Sequence, residues 1–213
     1  MNKQPTLIIL AEPTLNSAVG RDDPGPPSTG GQAMGLFSVM DSTVRRGLAS
    51  GLPMIVVAPP DMARQARTLL PGNDVVDLPD LPSPSSCSRA DRLARAVAAG
   101  VEASANAPGW LLLPADMPML QVDTLRAVAH AVALYTVVFP QYRHRRGHPV
   151  GFSAELFSEL IRLDNERDLA RLTARYPAMG VDVDDPGVLM AHDAQSGLAQ
   201  LRVQLHGTNL APR

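Results

Sequence analysis

With 213 residues, 45% of them hydrophobic, the chain is long enough for the full core of one α/β domain, and its formal charge of -2 excludes a broad nucleic-acid surface, which needs clustered Lys and Arg. The lone Cys87 excludes an intrachain disulfide framework and a cysteine zinc cluster, which fits a reducing cytosol. No charged leader with a long apolar stretch precedes Leu7, so neither a secretory signal nor a membrane span is expected, and the expectation is a single cytoplasmic domain over residues 1–213.

Leu7 to Ala11 reads as a short buried strand, followed by a Pro/Gly-rich insertion over 12–31, in which Pro24, Pro26 and Pro27 exclude a regular helix. Asp41 to Ser50 has helical spacing at Val44, Leu48 and Ala49, and Met54 to Ala58 is a second strand. Asp61 to Leu70 predicts a helix, Asp74 to Leu78 a short strand, and Pro79 to Ser88 a Pro/Ser-rich loop. Ala90 to Ala105 carries Leu93, Val97 and Val101 on one helical face and leads through Pro108 and Gly109 into the next strand. Beyond that strand, Val122 to Leu134 predicts a helix and Thr136 to Pro140 a strand. Further helices are expected near Ala154 to Leu163 and Glu166 to Tyr176, with a tail at 206–213; a helix over Ala194 to Leu201 enters only as the alternative reading of Asp193, as its N-cap. Strands alternating with helices imply a mostly parallel, doubly wound, three-layer Rossmann-like α/β sheet.

Trp110 to Leu120, WLLLPADMPML, is the most informative segment: a short apolar run suited to a central parallel strand delivers one carboxylate and stops at a proline. Asp116 therefore falls at a strand's carboxyl end, where open α/β sheets collect ligands. The competing reading of Asp116 is a cap on the helix that follows. Arg143 to Phe152, RHRRGHPVGF, concentrates cations around Gly147, which permits a tight turn or a close backbone approach to a ligand. A solvated basic loop is the alternative there. The five histidines lack paired metal spacing, and no GxGxxG follows the first strand, which argues against a nicotinamide-dependent oxidoreductase.

Taken in order, GLPMIVVAP at Gly51 to Pro59, the Asp116 turn and VVFPQYRHRRGHPVGF at Val137 to Phe152 resemble the MobA/MocA-like nucleotidyltransferases, which join a nucleotide to the molybdenum cofactor. The resemblance covers the chain from about Asp41 onward. It implies a fold of the nucleotide-diphospho-sugar transferase type and a Mg2+-dependent transfer of CMP or GMP, from CTP or GTP, to a phosphorylated small molecule, with molybdopterin the leading acceptor. A molybdoenzyme or its maturation factor would be a protein partner; nucleic acid and membrane would not be partners. Asp116 would hold the metal, and Arg146, Gly147 and His148 would meet the acceptor, with Arg146 the preferred phosphate contact. Leu10 and Ala11 would lead into the nucleotide site. After Asp185, Pro186 and Gly187, the resemblance places Asp193 near metal or acceptor, with a helix N-cap as the alternative.

The pattern LAAGxGxRMGxxK, whose loop follows the first strand in that family and holds the nucleoside triphosphate, survives only as Gly30, Gly31, Met34 and Gly35, with Ala33 at the arginine position and Ser38 at the lysine position; the resemblance implies that Gly30, Gly31 and Gly35 would meet the nucleotide. The only lysine, Lys3, precedes the first strand, so a compensating cation must be arginine; Arg21, Arg45 and Arg46 are nearest. Asn165 to Ala170, NERDLA, replaces a glycine-containing element of the family. The retained motifs lie on the acceptor and metal side. A catalytically silent binding or chaperone protein is accordingly the alternative function.

Overall fold

The computed structural model describes residues 4–11, 29–78, 89–164 and 166–189. The expected loop at 79–88, the helix at Ala194 to Leu201 and the tail lie outside them, as does most of the 12–31 insertion.

Eight strands form one sheet: β1 (Thr6–Leu10), β2 (Met54–Ala58), β3 (Val75–Asp77), β4 (Gly109–Pro114), β5 (Val137–Tyr142), β6 (Arg145–Arg146), β7 (Val150–Ser153) and β8 (Ala178–Asp182). The helices are α1 (Thr29–Ser50), α2 (Pro60–Ala66), α3 (Arg89–Ala103), α4 (Val122–Val132), α5 (Phe157–Leu160) and α6 (Glu166–Arg175). Strands β3, β2, β1 and β4 run parallel in that spatial order. Strand β7 lies antiparallel between β4 and β5, and β8 is parallel to β5 on β5's other edge. The expected mostly parallel, three-layer sheet is thus observed.

Alternation along the central strands divides the core into two layers. Leu7, Ile9, Leu111 and Leu113 face one way and pack with Met40 and Val44 of α1 and Leu125 and Val128 of α4. Ile8, Leu10, Trp110 and Leu112 face the other way and pack with Leu93 and Val97 of α3 and Leu169 and Leu172 of α6. Each of Leu111, Leu112 and Leu113 is essentially inaccessible, and burial of such a side chain stabilises by about 1.5–3 kcal/mol. Trp110 keeps its polar end satisfied: its Nε1–H donates to Ser104 Oγ at 3.0 Å. No helix among the described residues is long and apolar enough to cross a membrane.

Several boundaries differ from expectation. Helix α1 begins at Thr29 and not at Asp41, so Gly30, Gly31 and Gly35 are helical. Helix α2 starts at Pro60, where proline suits the first helical position, and ends at Ala66. The expected helix over Ala154 to Leu163 is a 3-10 turn (Ala154–Leu156) followed by the four-residue α5. Strands β6, β7 and β8 were not anticipated. Gly151 and Gly180 interrupt the apolar pattern of the last two, and Pro149 directly precedes β7.

Candidate active site

The strand order reverses beside β1: β2 and β3 extend to one side, and β4 lies on the other. Such a switch point opens a crevice at the carboxyl ends of the two diverging strands. Leu10 pairs with Pro114, and the Ala115 N–H donates to the Leu10 carbonyl at 3.0 Å. The chain ends at Leu10–Ala11 and Ala115–Asp116 therefore leave the sheet side by side. Leu10 and Ala11 are each only 2% exposed, so their backbone, not their side chains, is what they can offer a ligand. Asp116 is half-buried on the turn that follows β4.

That turn is held from α1. Arg46 Nε donates to the Pro118 carbonyl at 2.5 Å, while Arg45 pairs with Asp41 at 3.0 Å. Arg45 completes a helical i,i+4 pair, whereas Arg46 braces the Asp116 turn through its Nε. Arg21 lies outside the described residues.

The basic segment is a β-hairpin. Tyr142 pairs with Arg145 and Gln141 with Arg146, leaving Arg143 and His144 as a two-residue turn. Both have positive φ, 49° and 62°, as a primed hairpin turn requires. The tight turn is accordingly at Arg143–His144, not at Gly147. Since β8 occupies the far edge of β5, β6 and β7 share the edge that faces β4. Arg146 is half-buried, with its guanidinium carbon 5.4 Å from the centre of the Phe139 ring, and Arg143 lies similarly over Tyr142 at 5.1 Å. Among the described residues Arg143, Arg145 and Arg146 form no ion pair, whereas Arg64, Arg126 and Arg171 each bind an acid one helical turn away. The hairpin is a locally uncompensated positive patch.

Gly147 does make a close backbone approach, but to the protein. A Cβ there would lie 2.3 Å from the Val188 carbonyl oxygen, and the N–H of the buried His148 donates to that same oxygen at 3.0 Å. The segment that fills this place, Asp185–Leu189, is organised by Asp185, which sequence reasoning noted only as part of an Asp-Pro-Gly turn. Asp185 is 2% exposed. Its Oδ2 accepts from the Gln121 N–H at 2.8 Å and the Thr124 hydroxyl at 2.7 Å; its Oδ1 accepts from the Gly187 N–H at 2.8 Å. Gln121 begins α4 without a side-chain cap of its own, so Asp185 supplies an anion at that helix N-terminus from 64 residues away.

The remaining predicted residues fare differently. Gly35 is the seventh residue of α1, where amides are already committed to the helix ladder, so it is not a loop donor to phosphate. Gly30 and Gly31 lie in the first turn, where amides have no helical acceptor. Gly47 of α1 abuts Leu7 and Met54, at the starts of β1 and β2, so α1 runs antiparallel to them and its first turn lies toward the carboxyl ends. At 22 residues α1 is about 33 Å long against about 17 Å for a five-residue strand, so its beginning extends past the sheet edge. Asp193 lies outside the described residues. Elsewhere, a cleft of about 320 Å³ between Ser158–Leu163 and Asp168–Arg175 carries arginines largely paired within it, Arg171 with Asp168 and Arg175 with Glu159.

The donor set decides what cation the crevice could hold. Among the described residues no group of three or more His, Cys, Asp or Glu side chains could hold a metal. A closed zinc site is therefore not formed by them, whereas one hard carboxylate at a strand end suits Mg2+ or Mn2+, which take their remaining ligands from phosphate oxygens and water.

Comparison with solved structures finds the same fold. Rv0371c from Mycobacterium tuberculosis H37Rv is 23% identical with a TM-score of 0.64, over 95% of this chain and 99% of that one. The same protein in complex with manganese is 22% identical with a TM-score of 0.62, covering 94% and 99%. A nucleotidyl transferase from Methanothermobacter is 18% identical with a TM-score of 0.57, covering 96% and 98%. No curated protein matches the chain. A model of the MobA-like NTP transferase domain matches residues 35–179, a span that holds β2 to β7, the Asp116 turn and the basic hairpin. The chain belongs to the MobA-like NTP transferase family and is a nucleotidyltransferase of that type.

Proposed function

We propose that the protein transfers CMP or GMP from CTP or GTP, with Mg2+, to a phosphorylated small molecule, molybdopterin being the acceptor that the family relationship favours. The observation that carries this reading is a single carboxylate, Asp116, at the switch point and an arginine patch, without ion pairs among the described residues, toward the same carboxyl end of β4. Strands are spaced about 4.8 Å apart, so the end of β1 and the basic hairpin, with β4 between them, are separated by roughly 10 Å. That span admits a triphosphate beside β1 and an acceptor phosphate beside the hairpin, with Asp116 between.

In the transfer, an acceptor phosphate oxygen bonds to the α-phosphorus, the bond from that phosphorus to its bridging oxygen breaks, and pyrophosphate leaves. The protein's task is alignment and charge neutralisation. Asp116 would hold the metal, which supplies positive charge to the phosphate oxygens. Arg146, whose guanidinium lies over the Phe139 ring, would bind the acceptor phosphate through two parallel N–H bonds, and His148 and Gly147 would fix its loop. First-turn amides of α1, including Gly30 and Gly31, would meet the triphosphate in place of the missing loop lysine. Manganese in the mycobacterial relative supports a divalent ion.

The test is pyrophosphate release from CTP or from GTP, in the presence of Mg2+, when molybdopterin is added. The reading predicts acceptor-dependent release from one nucleotide. Binding of molybdopterin with no release from either nucleotide would favour the alternative, a family member that retains acceptor binding and has lost transfer; the helical placement of Gly35 is the observation on that side.

A further inference from the structure

Resting on the roles given above to Asp116 and Arg146, we infer that Asp185 is a positioning residue that fixes the basic loop relative to the metal-bearing turn. Its carboxylate has two sides with different attachments. Oδ2 holds Gln121 and Thr124, at the end of the segment that leaves Asp116 and enters α4. Oδ1 holds Gly187, closing the turn whose Val188 carbonyl accepts the His148 N–H. The turn is wedged as well as bonded: a Cβ on Gly187 would lie 2.4 Å from the Met119 carbonyl oxygen, and one on Gly147 would lie 2.3 Å from the Val188 oxygen. One buried carboxylate thus links Met119–Thr124 to Gly147–His148, two segments far apart in sequence that flank the proposed site. Transfer chemistry is sensitive to that separation, because supporting contacts left loose by about 1 Å impair a site whose own residues are all present.

The Asp185→Asn variant separates this role from simple capping. It preserves size but leaves one acceptor oxygen, so its amide must present donors either to Gln121 and Thr124 or to Gly187, and one link is lost. The experiment uses the full chain with Mn2+ and methyl phosphate as a probe of the hairpin. Paramagnetic relaxation of the bound probe's phosphorus depends on the inverse sixth power of its distance from manganese. The expected result is a fall in relaxation at saturation by about threefold or more in Asp185→Asn, with Mn2+ affinity within about twofold of the native protein. Thr124→Val, which removes one donor and retains the charge, should show a smaller fall in the same direction, and it decides the matter if Asp185→Asn does not fold. Unchanged relaxation in a folded but less heat-stable Asp185→Asn would make Asp185 a helix cap alone and overturn the inference. Absence of Mn2+-dependent relaxation in the native protein would overturn the site reading itself, and the inference with it.

Discussion

Asp116 follows β4 and Arg146 lies on β6, and the roles proposed for them predict separable losses. Asp116→Asn removes the charge at nearly constant size. It should weaken metal-dependent nucleotide affinity by no less than the roughly 10–100-fold that outer-sphere partners alone cost, while leaving the melting temperature nearly unchanged. Arg146→Lys keeps the charge but loses the flat, forked guanidinium that lies over Phe139. Acceptor-phosphate affinity should fall about tenfold, read by titration with methyl phosphate, with nucleotide affinity intact. The place of Asp116 just after β4 was legible in the sequence, because a strand-length apolar run followed by a proline turn needs no tertiary information to be read. The bracing role of Arg46 was not legible, nor was that of Asp185: their partners, the Pro118 carbonyl and the first turn of α4, lie 72 and 64 residues away.

Among the elements, the basic hairpin departs from the local rules for its turn. A primed turn favours Asn-Gly, yet Arg143 and His144 occupy left-handed backbone at a cost of roughly 1–2 kcal/mol per residue. Replacing them together, Arg143→Asn with His144→Gly, should raise stability by about 1 kcal/mol in denaturant unfolding while weakening anion binding. Gly147→Ala should act the other way, destabilising by about 1–3 kcal/mol, because the added carbon must displace the Val188 backbone.

The tie between α2 and β3 has a pH signature. Arg67 donates to both oxygens of Asp77, at 3.0 and 2.6 Å, and holds that carboxyl below its ordinary value near 3.8. A depressed carboxylate contributes stability that is complete above the ordinary value and is lost as pH falls through the depressed one. The melting-temperature advantage over Asp77→Asn should therefore shrink as pH falls below about 4, and salt should reduce it, since both side chains are exposed. Tyr176 behaves oppositely: its hydroxyl donates to Glu159, which raises its pKa, so that contribution persists through neutral pH and is lost only in strong alkali.

For the whole molecule, the alternating strand–helix pattern was sufficient to give the layers, because buried parallel strands and amphipathic helices announce themselves by period. Strand order past β4 was not legible. Strand β7 enters the sheet from a Gly/Pro-containing segment, and β8 is a half-exposed strand without alternation. Trp110 anchors the layer opposite α1 and α4, stacking near Phe157 with ring centres 5.9 Å apart. Trp110→Ala should cost about 3–5 kcal/mol and lower the melting temperature without altering Arg146 or Asp116.

In the proposed site, the Asp116 carboxylate at the β1/β4 switch point makes nucleotide binding depend on a divalent metal. Isothermal titration of the native protein and Asp116→Asn with CTP and with GTP, each with and without Mg2+, should show Mg2+-dependent binding of one nucleotide by the native protein and its loss in the variant. Equal affinity in the two proteins, or binding indifferent to Mg2+, would contradict that dependence.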